Sequence, residues 1–171
     1  FFDQISKKHE YGGSISYDYD IAIFASAIRT DMWMKLYDSL VSENKCKFKM
    51  FFCGHVQPDF DLPENLFHIC SGMSAAPCVE IAYRHAMACS AEHIMHFTDD
   101  CLMPPAILDN LLEDLRSSEK ESIIGPAYTG LDPNGESVCL HIDTNDKLSP
   151  LVPLFQIMKK ESLLNKEQLK D

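Results

Sequence analysis

The sequence predicts an α/β fold, a mixed, mostly parallel sheet flanked by helices on both faces. Three observations predict it. The apolar runs "DIAIFAS" (20–26), "FKMFFCG" (48–54) and "HIMHF" (93–97) have the length and continuity of buried strands. Segments with apolar residues at helical spacing lie between such runs. The resulting order of strand, helix, strand, strand, helix, strand, helix is that of an α/β protein.

Each element has its own signal. Residues 1–19 are polar and contain glycine, and are expected to form an N-terminal extension. After the first strand, Thr30 is placed to cap a helix in which Met32, Leu36 and Leu40 share a face, with Trp33, Tyr37 and Val41 beside them. The second strand closes at Gly54, "HVQPDFDLPEN" is a proline-rich loop, and "LFHIC" (66–70) is a short third strand. "SGMSAAP" leads into a helix with Pro77 in its first turn, reaching Ser90 and burying Val79, Ala82, Tyr83 and Ala86. The fourth strand, 93–97, runs into "TDD". Pro104 and Pro105 open a helix whose Ile107, Leu108, Leu111, Leu112 and Leu115 make an apolar stripe. "SIIGPAY" reads as a strand, and "LDPNGE" as a turn that reverses the chain into "SVCLHID" (137–143). "LVPLFQIM" is a last strand and "KKESLLNKEQLKD" a helix or its beginning.

Composition bounds the function. The 171 residues are enough for one domain with a substantial core. Fifteen basic against twenty-six acidic residues give a net charge of −11, which argues against binding nucleic acid through a broad basic surface. Any anionic ligand must therefore be met locally, by a metal, an arginine or a helix N-terminus. No apolar run approaches the ~18–20 residues of a membrane span. "FFDQISKKHEYGG" lacks the basic and then apolar regions of a signal peptide. The seven cysteines are odd in number and form no C-x-x-C, as expected of reduced thiols in a cytoplasmic protein. The eight methionines read as core filler.

In parallel sheets ligands gather outside the carboxyl ends of the strands. Both "SAIR" after the first strand and "TDD" after the fourth fall at that edge. Adjacent carboxylates repel, so Asp99 and Asp100 need either a solvated turn or a divalent cation shared with a phosphate. His93 and His96 are an odd number of residues apart, and on a strand they point to opposite faces, against a shared metal. Asp59 and Asp61 sit among prolines and read as solvated. The phosphate-loop, dinucleotide and serine-hydrolase motifs are absent.

Three stretches together resemble the GT-A glycosyltransferases of glycosyltransferase family 2. "IAIFASAIRTDMWMKLYDSLVSEN" resembles the family's opening strand, its loop ending in an arginine, and the following helix. "EIAYRHAMACSAEHIMHF" resembles the arginine-bearing helix before the metal-binding strand, and "TDDCLMPPAILDNLL" the D-x-D-type motif in its T-D-D form. The resemblance covers residues 20–116 well and 117–165 loosely. It implies a GT-A (Rossmann-like) domain over 20–171, truncated at its C-terminal end. That domain would move a sugar from a UDP- or GDP-sugar to the hydroxyl of a glycan or other acceptor, with inversion and with Mn2+ or Mg2+.

The site residues follow by resemblance. Asp100 would coordinate the metal, while Asp99 would contact the ribose or donor sugar and help hold the metal's water. Arg29 would fork onto phosphate oxygens, or else make a salt bridge. Arg84 would face the diphosphate, or else pair with Glu80 four residues back. Ala25, Ser26 and Ala27 would line the base and ribose pocket through backbone groups. The need for a cation is electrostatic. Two unit charges ~4 Å apart interact by roughly 4 kcal/mol near a protein surface, and a carboxylate-held ion offsets this while stabilising the leaving group.

The second strand departs from the family. Many members end it with an aspartate that accepts from uracil, where this chain has Cys53, Gly54 and His55. His55 is either a base contact or a loop histidine. The acid that deprotonates the acceptor in inverting relatives belongs near a late helix, where Glu161, Glu167 and Asp171 are candidates by proximity. Two rivals stand beside this reading. A nucleotidyltransferase on a related fold ranks lower, because "SAIRTD" lacks a glycine-rich basic loop. The other is a catalytically degenerate domain that binds nucleotide, sugar or a partner.

Overall fold

A computed structural model describes residues 16–99, 103–117, 128–131, 137–140 and 156–159. Its elements are β1 (Tyr19–Ser26), α1 (Thr30–Val41), β2 (Phe48–Gly54), β3 (Leu66–Cys70), α2 (Ala75–Ala88), β4 (Ala91–His96), α3 (Ile107–Ser117), β5 (Tyr128–Leu131), β6 (Ser137–Leu140) and β7 (Gln156–Lys159). One sheet has the order β3-β2-β1-β4-β7, parallel throughout except for β7, which pairs antiparallel with β4. β5 and β6 form a separate antiparallel hairpin. This is the mixed, mostly parallel sheet that the apolar runs predict.

Strand alternation divides the core in two. Ile21, Ile23 and Ala25 of β1 face the layer built by Trp33, Leu36 and Leu40 of α1 with Leu108, Leu111 and Leu112 of α3. Ala22 and Phe24 face the opposite layer, built by Cys78, Ala82 and Ala86 of α2. Helices therefore cover both faces. His93 and His96 fall on opposite sides as their spacing requires. His93 is buried and donates its Nδ1–H to the Asp20 carbonyl at 3.2 Å, while His96 packs on Phe24 with ring centroids 5.2 Å apart.

The elements differ in detail from the sequence reading. The buried stripe of α1 runs through Trp33, Leu36 and Leu40, with Met32 only half-buried and Val41 exposed. The indole is the larger apolar group, and it fills the space between the rings of Phe52 and His68. Thr30 is the first helical residue rather than the cap, Arg29 holds the cap position, and no side chain of α1 caps it. α2 begins two residues before Pro77 and ends at Ala88. β4 starts at Ala91 and stops at His96. Of "SIIGPAY" only Tyr128 lies among the described residues, where β5 begins. The pairing of Leu131 with Ser137 confirms the reversal at "LDPNGE". Residues 1–15 and the expected C-terminal helix lie outside the described residues.

α3 is seated by a two-way clasp. Asn44 Oδ1 accepts from the backbone N–H groups of Leu108 (2.9 Å) and Asp109 (3.2 Å), capping α3 from another loop. Asn44 Nδ2 donates to the Leu40 carbonyl at the end of α1 at 2.7 Å. In return Asp109 accepts from the N–H groups of Lys45 (2.8 Å) and Cys46 (2.9 Å). Burial raises the pKa of Asp109, but these donors outweigh it and the net shift is downward.

Cys46, Cys53, Cys70, Cys78 and Cys89 are free thiols. Burial, reinforced by Asp109, pushes the Cys46 thiol up to about 12. Burial together with Cys78 pushes Cys53 up to about 11. Cys70 is exposed. Among the described residues no helix is long and apolar enough to cross a membrane.

Candidate functional site

The chain leaves β1 for β2 and β3 on one side and returns to β4 on the other. The carboxyl ends of β1 and β4 therefore flank the switch point of the sheet, where a crevice opens in folds of this kind. Hydrogen bonding between these strands runs past β4 itself, since the Phe97 N–H donates to the Phe24 carbonyl at 3.0 Å. Two residues further on, Asp99 arrives against the loop that follows β1.

Asp99 is 1% exposed, and its carboxylate is surrounded by donors of this chain. Oδ2 accepts from the backbone N–H of Ile28 and of Arg29, both at 2.6 Å, and from Trp33 Nε1–H at 3.3 Å. Oδ1 accepts from Arg29 Nη1 at 2.8 Å. Two successive amides make a small anion nest, and the positive end of α1 lies just beyond it. Burying a charge without such partners is costly. Here four hydrogen bonds, one of them from a guanidinium, offset the loss of water.

Gly54 completes the junction. A Cβ at this position would overlap the Ala27 carbonyl oxygen and lie 3.2 Å from Ile28 Cγ2, so only glycine lets the β1–α1 loop settle on the end of β2. The Ala27 N–H donates to the Cys53 carbonyl at 2.8 Å. The Gly54 carbonyl accepts from the Ser71 N–H at 3.0 Å and from His68 Nε2–H at 3.1 Å. His68 in turn lies 5.2 Å from Trp33, ring centre to ring centre.

The predicted site residues separate into groups. Ala25, Ala27, Arg29, Gly54 and Asp99 meet at this edge, with Ser26 half-buried beside them and His55 exposed just past β2. Arg29 does form a salt bridge, and its partner is Asp99. Arg84 stands on the solvent side of α2, where its Nε donates to Glu80 Oε1 at 2.8 Å, with the two side chains 75% and 55% exposed. Asp100, Glu161, Glu167 and Asp171 lie outside the described residues.

Asp99 Oδ2 takes three N–H donors and Oδ1 a guanidinium, so the protein itself compensates this buried charge. No group of three or more His, Cys, Asp or Glu among the described residues is arranged to hold an ion. Trp33 is the site residue that sequence reasoning placed in the core alone. Its signal was available, since a buried indole N–H usually finds an acceptor. A groove of ≈ 560 Å³ lined by Asp20, Lys45, Asp109 and Arg116 lies at the opposite, amino edge of the sheet, away from this junction.

Fold and switch point together define the class: a Rossmann-like, GT-A-like mixed α/β fold. No family model matches the chain, and no curated protein does. Among solved structures the chain is similar to TarS 1–349 of S. aureus, with a TM-score of 0.58 and 11% identity over 86% of this chain and 49% of that one. It thus spans about half the length of that structure. A more distant likeness, TM-score 0.44 at 10% identity over 89% and 75% of the two chains, is to 4-diphosphocytidyl-2C-methyl-D-erythritol synthase from Anaerococcus prevotii. A third, TM-score 0.42 at 11% identity over 88% and 75%, is to 2-C-methyl-D-erythritol 4-phosphate cytidylyltransferase from Thermus thermophilus.

Proposed function

We propose that this chain is the donor-binding part of a glycosyltransferase that moves a sugar from a UDP- or GDP-sugar to an acceptor hydroxyl, with inversion. The observation that carries the reading is the junction at the switch point, where Asp99 ties the turn after β4 to the loop after β1. That junction sits in a fold shared with TarS. The backbone of Ala25, Ser26 and Ala27 would line one wall for the nucleoside, with Gly54 and His55 at its end. Arg29, held by Asp99 and half-exposed, would supply positive charge beside the diphosphate in a chain whose net charge is −11. Mn2+ or Mg2+ held by Asp100 would neutralise the diphosphate and stabilise the departing oxygens. Activation of the acceptor needs a carboxylate from the late part of the chain, with Glu161, Glu167 and Asp171 as candidates.

Two observations favour a second reading, a domain that binds without turnover. Both oxygens of Asp99 are already engaged by the protein, and β2 ends in Cys53 and Gly54, followed by His55, rather than in an acid. Calorimetry with UDP and with GDP, with and without Mn2+, followed by a donor-hydrolysis assay, separates the two. Metal-dependent binding that Asp100→Ala abolishes, together with release of sugar, supports the transferase. Binding without release supports the second reading, and absence of binding to either nucleotide ends the transferase.

A further inference from the structure

Trp33 is the single tryptophan of the chain, fully buried on α1, and its ring packs edge-on to Phe52 at 5.1 Å and against His68 at 5.2 Å. What the indole adds is its N–H, directed at Asp99 Oδ2 at 3.3 Å. That oxygen also receives the amides of Ile28 and Arg29, so three donors from one loop and one helix converge on a single atom. The backbone amides can follow the loop if it moves. The indole cannot, because two aromatic neighbours and a core helix hold it.

We infer that Trp33 is a positioning residue: its indole N–H fixes the Asp99 carboxylate, and through it the backbone of Ile28 and Arg29 that shapes the mouth of the crevice. The inference rests on the proposed nucleotide site for its functional consequence, while the positioning itself does not. Trp33 touches no substrate and acts through Asp99. A loop held in one shape binds a nucleotide without first paying to order itself.

Trp33→Phe retains the ring and deletes the donor. Amide hydrogen exchange at Ile28 and Arg29 should quicken about tenfold, the worth of one hydrogen bond to a charged group, while α2, in the opposite layer of the core, exchanges as before. In calorimetry UDP or GDP should bind about tenfold more weakly, and adding Trp33→Phe to Asp99→Asn should cost nothing further. Unchanged exchange at Ile28 and Arg29 would overturn the inference. If the unaltered chain binds neither nucleotide, the functional proposal fails, yet the exchange result still decides the role of Trp33. Should Trp33→Phe not fold, the emission of the unaltered tryptophan serves instead. Asp99→Asn should shift that emission, and an unmoved spectrum sinks the idea.

Discussion

Gly54 and Ala27 pack backbone to backbone, with no room at Gly54 for even a methyl group. The obstructing atom is a carbonyl oxygen of a loop anchored to β2 by the Ala27 N–H, so it cannot swing aside as a side chain would. Gly54→Ala is therefore expected to destabilise the fold by about 2–3 kcal/mol, the usual cost of overpacking. In a protein of this size that lowers Tm by roughly 5–10 °C. Calorimetric melting of the variant checks it, and an unchanged Tm would refute the close approach.

Asp99→Asn should cost more than Arg29→Ala. An asparagine presents one oxygen and one NH2 to a cluster of N–H donors, leaving buried donors unsatisfied, at about 2–4 kcal/mol. Arg29 is half-exposed, so losing its guanidinium should remove roughly 1 kcal/mol. Urea denaturation of both variants gives the order, and the reverse order would mean that the ion pair dominates the junction.

Arg84→Ala discriminates its two assigned roles. The Glu80 pair is exposed on both sides, and such helical pairs contribute about 0.3–0.5 kcal/mol. Stability should barely change, and nucleotide affinity should not change at all. A tenfold loss of UDP or GDP affinity would restore Arg84 to the diphosphate.

Asn44→Ala removes a cap from α3 and a bond to the end of α1 with one substitution. A loss of about 1–2 kcal/mol is expected, the upper part of the range for caps. Loss of helical circular dichroism on mild heating, before the global transition, would show that α3 detaches first.

Stability should fall with acid. Burial lowers the pKa of His93 below 6.5, with Arg116 and Lys159 acting in the same direction and Glu92 with the Asp20 carbonyl opposing them. Burial lowers His96 likewise. Above about pH 6.5 neither the folded nor the unfolded chain binds the proton, so these groups leave stability unchanged. As pH falls below that value the unfolded chain takes up protons that the folded one refuses, and stability drops toward the folded-state pKa. Melting curves from about pH 7.5 down to about 5.5 should show the decline, with a shallower slope in His93→Gln.

Much of the architecture was legible because it is a local property of the chain. A short continuous apolar run in β1 and a helical period in "ILDNLLEDL" announce a buried strand and a helix wherever they occur, and the described residues contain both. The stripe of α1 was off by one residue because periodicity alone does not say whether Met32 or Trp33 finds the deeper space. That depended on Phe52 and His68, which come from other strands.

The sequence by itself determined the order of elements, their two-sided burial, and the meeting of "SAIR" and "TDD" at one edge of the sheet. Only the tertiary structure decided what Asp99 does there. Its donors lie 66 to 71 residues away along the chain, and a carboxylate is neutralised by whatever the path of the loops brings within hydrogen-bonding reach. No pattern of spacing records that, because hydrogen bonding is a matter of distance and direction in space. The close approach that demands Gly54 and the clasp of Asn44 with Asp109 were settled in the same way.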